Sequence, residues 1–276
     1  MPYPRAHYYV LIVIGVIALG FWPSYFGPLG TVPWQFHAHG MAASLWVLMV
    51  FAQSWTAHHR QLPLHRAIGK TSLLLFPFLT GGLCAIIDVT AKKYLEGTAH
   101  PVTQLFGASF LIGMGIAIAA YVTVFYRALK YRRSVWTHAG YMLATPLILF
   151  ESPFSRVLNM FMPGLTVRGP DDFGRILPSI VWSIALELLV IALIWVKYRE
   201  RAAPFLVAGL FILVQMLGMG LMADVGWLRA LLAALGGVPS PVVVLTGFAI
   251  GALTSWAGWK AGQRPAQPAA RAPQPA

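Results

Sequence analysis

Residues 177–197 read LPSIVWSIALELLVIALIWVK, and Glu187 is the only charged side chain in this run before Lys197. An α-helix rises about 1.5 Å per residue, so a run of this length crosses the roughly 30 Å hydrocarbon core of a lipid bilayer. The basic residues Arg199 and Arg201 follow directly, and such residues collect beside membrane-spanning helices. The run therefore predicts a transmembrane helix.

The rest of the chain repeats this pattern. Of its 276 residues, 58% are hydrophobic and only 10% are charged, which leaves too few polar residues to cover a water-soluble fold. Seven further apolar runs are long enough to span a bilayer, at about 8–26, 34–57, 67–89, 103–126, 136–159, 203–223 and 240–260. We predict an all-α transmembrane bundle of about eight helices. It forms a single domain over residues 1–262, with a disordered Pro- and Ala-rich tail at 263–276.

The positive charge is distributed as a topology signal. The net charge of +12 comes from short basic clusters between apolar runs, so it does not indicate a nucleic-acid partner. Of the 20 Lys and Arg residues, fourteen fall on one side of the predicted bundle and six on the other. Because basic residues stay in the cytoplasm, both termini are predicted to be cytoplasmic, with the chain in the inner (plasma) membrane and the lipid bilayer as its main partner.

Two weaker patterns concern packing. Residues 227–237 are apolar but too short to span, and they predict an interfacial or re-entrant helix. Small residues recur every four positions in two spans, where they favour close helix packing. They are Ser109, Gly113 and Ala117, and then Gly247, Gly251 and Ser255.

Polar and ionisable side chains within the membrane are costly, so they are the first candidates for function. They are Gln53, Asp88, Glu151, Arg156 and Glu187. Arg156 is expected to be neutralised by Glu151 or Asp88, either in a structural ion pair or in a site for protons or substrate. Glu187 has no evident partner in the sequence, and it is expected either to face the bundle interior or to be neutral in contact with lipid.

The histidines are candidate ligands for a cofactor or a metal. His37 and His39 are candidate metal ligands, but two helical positions differ by about 200°, so both cannot face one ligand. His39 shares its face with Trp46 and Gln53 and is the favoured member of the pair. His65 and His138 each head an apolar run after a basic loop, which places them at similar depth. His7 is predicted to lie in an N-terminal tail outside the bundle.

A resemblance extends over roughly residues 34–156. The pattern is His39-Gly40, Trp46, Gln53, Arg60, Leu64-His65-Arg66 and Gly69, followed by His138, Met142, Leu143-Ala144-Thr145 and Arg156. It resembles a family of uncharacterised bacterial multi-pass membrane proteins. The chain departs from that pattern at Ala139-Gly140, where family members usually carry basic residues. The resemblance implies a membrane location and brings no reaction with it.

These observations support three functional hypotheses. The leading one is a haem b or metal-binding redox protein, with His39, His65 and His138 as cofactor ligands and a quinone or another protein as redox partner. The second is a proton-coupled small-molecule transporter that uses the intramembrane charges. The third is a membrane enzyme acting on a lipid or quinone. The sequence contains no nucleophile elbow, phosphate-binding glycine loop or H-E-x-x-H motif that would favour an enzyme.

Overall fold

The computed structural model describes residues 2–148, 150–222 and 225–263, and within these ranges the chain is mainly helical and contains no β-strand. This confirms the predicted all-α class. The predicted disordered tail lies outside the described residues except for Gln263. The helices are α1 (Ala6–Phe21), α2 (Trp34–His58), α3 (Leu62–Leu95), α4 (Pro101–Lys130), α5 (Val135–Ile148), α6 (Glu151–Phe161), α7 (Ile176–Tyr198), α8 (Ala203–Leu221), α9 (Gly226–Gly236) and α10 (Ser240–Ala261).

Within the described ranges, six helical stretches are long and apolar enough to cross a membrane. They are Ala6–Phe26, Trp34–His58, Leu62–Leu95, Pro101–Lys130, Pro170–Leu221 and Ser240–Ala261. The fifth of them, 52 residues long, contains both α7 and α8. These two helices pack against each other across the turn Arg199–Ala202, where Arg199 has a φ of 51°.

The distribution of polar and apolar side chains fits a lipid environment. Large apolar residues are exposed along the helices, among them Leu221 at 79% and Trp182 at 64%. Polar residues such as Ser183 and Glu187 are buried at 0% and 2% exposure. Water would disfavour so much exposed apolar surface, whereas lipid chains solvate it. The fold is therefore that of a helical bundle compatible with an integral membrane protein.

The run 136–159 is not one continuous helix. α5 ends at Ile148 and α6 begins at Glu151, with Pro146 and Pro153 on either side of the break. Each proline lacks the N–H that would continue the helical hydrogen-bond ladder. After the break, α6 packs against α1 and α7, whereas α5 packs against α4 and α8. The break thus gives Glu151 and Arg156 different neighbours from those of α5.

The predicted small-residue stripes form helix contacts. A Cβ on Gly113 would lie 2.7 Å from the Met219 sulfur of α8, and a Cβ on Gly247 would lie 2.6 Å from the Cys84 sulfur of α3. The short apolar segment near residue 230 is the helix α9, which packs on α3 and α4. Its length, 11 residues, is too short to span, as predicted. Whether it lies at the interface or re-enters the membrane stays a prediction.

The N-terminal segment is part of the bundle. Tyr3 is 4% exposed, packs edge-on against Trp136, Tyr198 and Phe205, and donates its hydroxyl to the Arg201 carbonyl at 2.6 Å. Burial raises the pKa of the Tyr3 phenol to about 12. His7 is 8% exposed within α1. The prediction that His7 lies in a tail outside the bundle was therefore wrong, because aromatic packing around Tyr3 draws this segment into the interior.

Candidate functional site

A pocket of about 180 Å³ lies where α1, α2 and α6 meet. The apolar part of its wall includes Phe21, Phe26, Phe36, Leu83 and Met114. The polar part consists of Ser24, Tyr25, His39, Ser44, Ser152 and Arg156. The pocket brings two sequence-predicted residues together, His39 from α2 and Arg156 from α6. It thus combines an apolar wall with a few convergent polar groups, as small-molecule sites do.

Arg156 provides the positive charge of the pocket. Its Nη1 donates to the Ser152 carbonyl at 2.7 Å and to the Ser152 hydroxyl at 2.8 Å. The guanidinium lies 4.8 Å from the centre of the Phe21 ring, within cation–π range. Among the described residues no carboxylate lies within 4 Å of it, and only Nη1 donates a hydrogen bond. Nε and Nη2 therefore remain available to a ligand, and Arg156 is an exposed residue that also lines the pocket.

His39 provides the second polar group. Its Nδ1 is buried and has no hydrogen-bond partner within the described parts of the chain. Leaving a buried polar atom unpaired costs about 1–3 kcal/mol, so such an atom is often paired by a ligand or by water. A side-chain nitrogen without a protein partner and a guanidinium with free N–H groups thus line one pocket.

Tyr25 closes the side of the pocket next to α2. The chain leaves α1 through a π-helical turn, Trp22–Phe26, which turns Tyr25 back toward α2. A Cβ on Gly40 would lie 2.6 Å from the Tyr25 ring, so a larger residue at that position would displace the ring from its place beside α2. The Tyr25 hydroxyl lies 3.4 Å from His37 Nδ1. Sequence analysis missed Tyr25 because its role depends on this turn, which hydropathy does not predict.

The structure gives His37 and His39 different surroundings, as their helical spacing predicts. His37 contacts Tyr25, while the His39 Nδ1 has no protein partner. In the described ranges no three His, Cys, Asp or Glu side chains are arranged to hold a metal ion. Metal binding by His37 and His39 stays a prediction.

Two acids on α6 and α7 lie near the pocket residues. Glu187 is 2% exposed, its Oε1 lacks a partner in the described part of the chain, and it interacts electrostatically with Glu151 across the contact between α6 and α7. Glu151 accepts a hydrogen bond from the Ser155 hydroxyl at 3.3 Å. Of the two alternatives for Glu187, the structure shows the one in which the side chain is buried inside the bundle. Its neighbour is a second acid, which the sequence did not indicate.

Asp88 does not neutralise Arg156. Its Oδ1 lies 2.8 Å from Lys92 Nζ, one turn further along α3, and Lys92 also donates to the Val238 carbonyl at 2.7 Å. The alternative that Asp88 pairs with Arg156 was therefore wrong, because a lysine at the (i, i+4) position is a closer partner than a group on another helix. Asp88 helps to fix the end of α3 to the segment before α10.

His65 and His138 lie near each other, away from His39. His138 Nδ1 lies 2.9 Å from the Ala128 carbonyl, and His65 Nδ1 lies 3.2 Å from the Gln53 carbonyl. The two rings are close enough to interact electrostatically. His39 is 14 residues from Gln53 on α2, which corresponds to about 21 Å along the helix. The three predicted cofactor ligands therefore belong to two separate places.

Gln53 and Thr145 from the sequence pattern make structural contacts. Gln53 Nε2 donates to the His65 carbonyl at 2.9 Å and so connects the end of α2 with the start of α3. The Thr145 hydroxyl accepts a hydrogen bond from Trp46 Nε1, and its carbonyl accepts one from the Tyr121 hydroxyl. These residues hold helices together and do not line the pocket.

No protein-family model matches this chain, and no curated protein or solved structure matches it. The resemblance to a family of bacterial membrane proteins therefore stays a prediction. The pocket between α1, α2 and α6 is the feature from which a function can be argued.

Proposed function

We propose that this protein is an eight-pass membrane protein that binds a small organic anion in the Arg156 pocket and transports it together with a proton. The eight passes are α1, α2, α3, α4, the broken pair α5–α6, α7, α8 and α10. The excess of fourteen over six basic residues supports cytoplasmic termini in the inner membrane. In this orientation the pocket lies in the outer half of the bundle.

The observation that carries the proposal is the incomplete pairing of the Arg156 guanidinium. A guanidinium at membrane depth is costly unless it is paired, yet the described residues offer it only Ser152 and the Phe21 ring within direct contact. A carboxylate ligand would accept two hydrogen bonds from its free N–H groups. The nearby aromatic wall would hold the apolar part of the same molecule.

The volume of the pocket limits the ligand. Drug-sized ligands occupy pockets of roughly 300–1,000 Å³, whereas an engineered cavity of about 150 Å³ holds benzene. At about 180 Å³ the pocket suits a single ring or a short chain with one acidic group. A porphyrin is too large for it.

Glu151 and Glu187 support proton coupling. Two acidic side chains that are close enough to interact repel each other when both are ionised, and protonation of one of them removes that repulsion. Glu151 is also five residues from Arg156 on α6 and interacts with it electrostatically. Binding of an anion at Arg156 therefore changes the electrostatic potential at Glu151 and Glu187. This change couples anion binding to proton binding.

The test is ligand-dependent stability of the detergent-purified protein. We expect benzoate or another small monocarboxylate to raise the melting temperature of the wild type, because a ligand that binds only the folded state stabilises it. Arg156→Gln should abolish this shift, and Arg168→Gln, in the loop after α6, should keep it. Failure of every carboxylate to shift the wild type, or an equal shift by neutral benzamide or a neutral quinone, would contradict anion binding.

A second candidate function rests on His65 and His138. Both Nδ1 atoms lie against backbone carbonyls, which fixes their protons there and leaves each Nε2 lone pair for a ligand. We propose haem b or a metal ion as the alternative ligand of this pair. Protein purified from haem-replete cells should then show a Soret band that shifts on reduction and is lost in His138→Ala but not in His100→Ala. A colourless preparation would contradict the haem alternative.

A further inference from the structure

Three histidines meet where α1 begins and α2 ends. The rings of His7 and His58 have centroids 5.3 Å apart, and those of His7 and His59 are 6.2 Å apart. His7 is 8% exposed, and its Nδ1 is buried without a hydrogen-bond partner in the described part of the chain. His58 Nε2 is also buried, and it too has no hydrogen-bond partner among the described residues. Two buried ring nitrogens without a partner in the described part of the chain are thus present in one partly exposed cluster.

The proton on His58 is fixed by its own helix. His58 Nδ1 lies 2.7 Å from the Ser54 carbonyl, and His59 Nδ1 lies 2.8 Å from the Trp55 carbonyl. A carbonyl only accepts hydrogen bonds, so each Nδ1 carries the hydrogen and each Nε2 carries a lone pair. Backbone carbonyls orient metal-binding histidines in this way, with the other nitrogen directed at the metal.

The surroundings favour a cation that is held by nitrogen atoms. The first turn of α1 contains no acidic residue, and the nearest ring to His7 is that of Tyr8, at 4.3 Å. Imidazole nitrogens bind Zn²⁺, Cu²⁺ and Ni²⁺, whereas Ca²⁺ and Mg²⁺ require oxygen ligands. No three potential ligands in the described ranges are already arranged around a metal position. A third nitrogen must therefore come from a side-chain movement.

His59 can supply that nitrogen. It is exposed and stacks on Trp55 with the ring centroids 4.3 Å apart, so its ring is not enclosed by other helices. Rotation of His59 toward His7 would exchange the contact of its Nδ1 with the Trp55 carbonyl for a ring nitrogen on the metal, and a water molecule would complete four-coordinate geometry.

We propose that His7 and His58, with His59 as the third ligand, bind one divalent transition-metal ion of the zinc type. The ion joins the start of α1 to the end of α2. This site is independent of the organic-anion pocket, because His58 and His39 are 19 residues apart on α2, about 28 Å along the helix.

The test is zinc binding by the full chain, purified in detergent with a tag that contains no histidine and stripped of metal. After dialysis against micromolar zinc, we expect one zinc ion per chain in the wild type and a higher melting temperature with zinc than without. His7→Gln and His58→Gln should each weaken zinc binding roughly tenfold or more and remove the stabilisation. His100→Gln, in the exposed segment before α4, should behave as the wild type.

Two results would overturn the proposal. One is a wild-type protein without bound zinc after dialysis, a measurement that does not depend on the folding of any variant. The other is undiminished zinc binding in both His7→Gln and His58→Gln, which would assign the metal to other histidines. Neither result bears on Arg156, so failure of this site and failure of the anion pocket are distinguishable.

Discussion

Trp46 Nε1 donates a hydrogen bond of 2.9 Å to the Thr145 hydroxyl, and both residues are fully buried. The bond connects α2 with α5 across 99 positions of the sequence. The Trp46 ring also packs against Phe76 and Phe125, with centroids 5.5 and 5.2 Å away. This contact fixes the centre of the bundle on which the pocket is built.

We expect Thr145→Val to destabilise the protein by about 1–3 kcal/mol, because the Trp46 N–H would be left buried without an acceptor. A matched control is Thr246→Val on α10, whose hydroxyl donates only to the carbonyl four residues earlier and lies at the surface. Thermal unfolding in detergent measures both variants. Equal melting temperatures for the two variants would show that the Trp46 bond contributes nothing to stability.

Gly20→Ala should destabilise the contact between α1 and α6. A Cβ at this position would collide with the backbone of Pro153, which cannot move as a side chain can. Gly15→Ala lies in the same helix with open space around it, and it should be neutral or slightly stabilising because alanine favours helix. The yield of folded protein and the melting temperature of the two variants test the close approach of α1 to α6 at Gly20. If Gly20→Ala is as stable as Gly15→Ala, the two helices do not pack this closely.

Glu187→Gln should separate anion binding from proton coupling. The amide keeps the shape of the carboxyl group but cannot exchange a proton, so we expect benzoate binding to persist while its dependence on pH weakens. Glu200→Gln, in the exposed turn after α7, should keep the wild-type pH dependence. Melting-temperature shifts with benzoate across a pH series provide the measurement. An unchanged pH dependence in Glu187→Gln would exclude this residue from coupling.

Reporter fusions test the eight-pass topology. Fusions after Pro33, Ala99, Arg168 and Gly237 should report the outside, because few basic residues flank these positions. Fusions after Arg60, Arg132, Arg199 and Arg264 should report the cytoplasm, where the basic clusters are retained. Two or more fusions on the unexpected side would overturn the topology.

The sequence by itself determined that the chain is helical. It also determined which apolar runs contain polar or ionisable side chains, whose exposure to lipid costs free energy. In lipid each backbone N–H and C=O must be satisfied within the segment, so an apolar run such as 177–197 has to form a helix. The same run places Glu187 near the middle of α7, and the cost of exposing an ionised acid to lipid limited it to two states, buried in the bundle or neutral.

Only the tertiary structure decided which of these side chains meet. Glu187 interacts with Glu151, Asp88 pairs with Lys92, and His7 packs against His58. Lipid chains are as apolar as leucine, so hydropathy does not tell one neighbouring helix from another, and helix partners are selected by shape and close packing. The contact of Gly20 with Pro153 and the turn that directs Tyr25 toward Gly40 are such shape effects. They create the pocket around Arg156, which no single segment of the sequence contains.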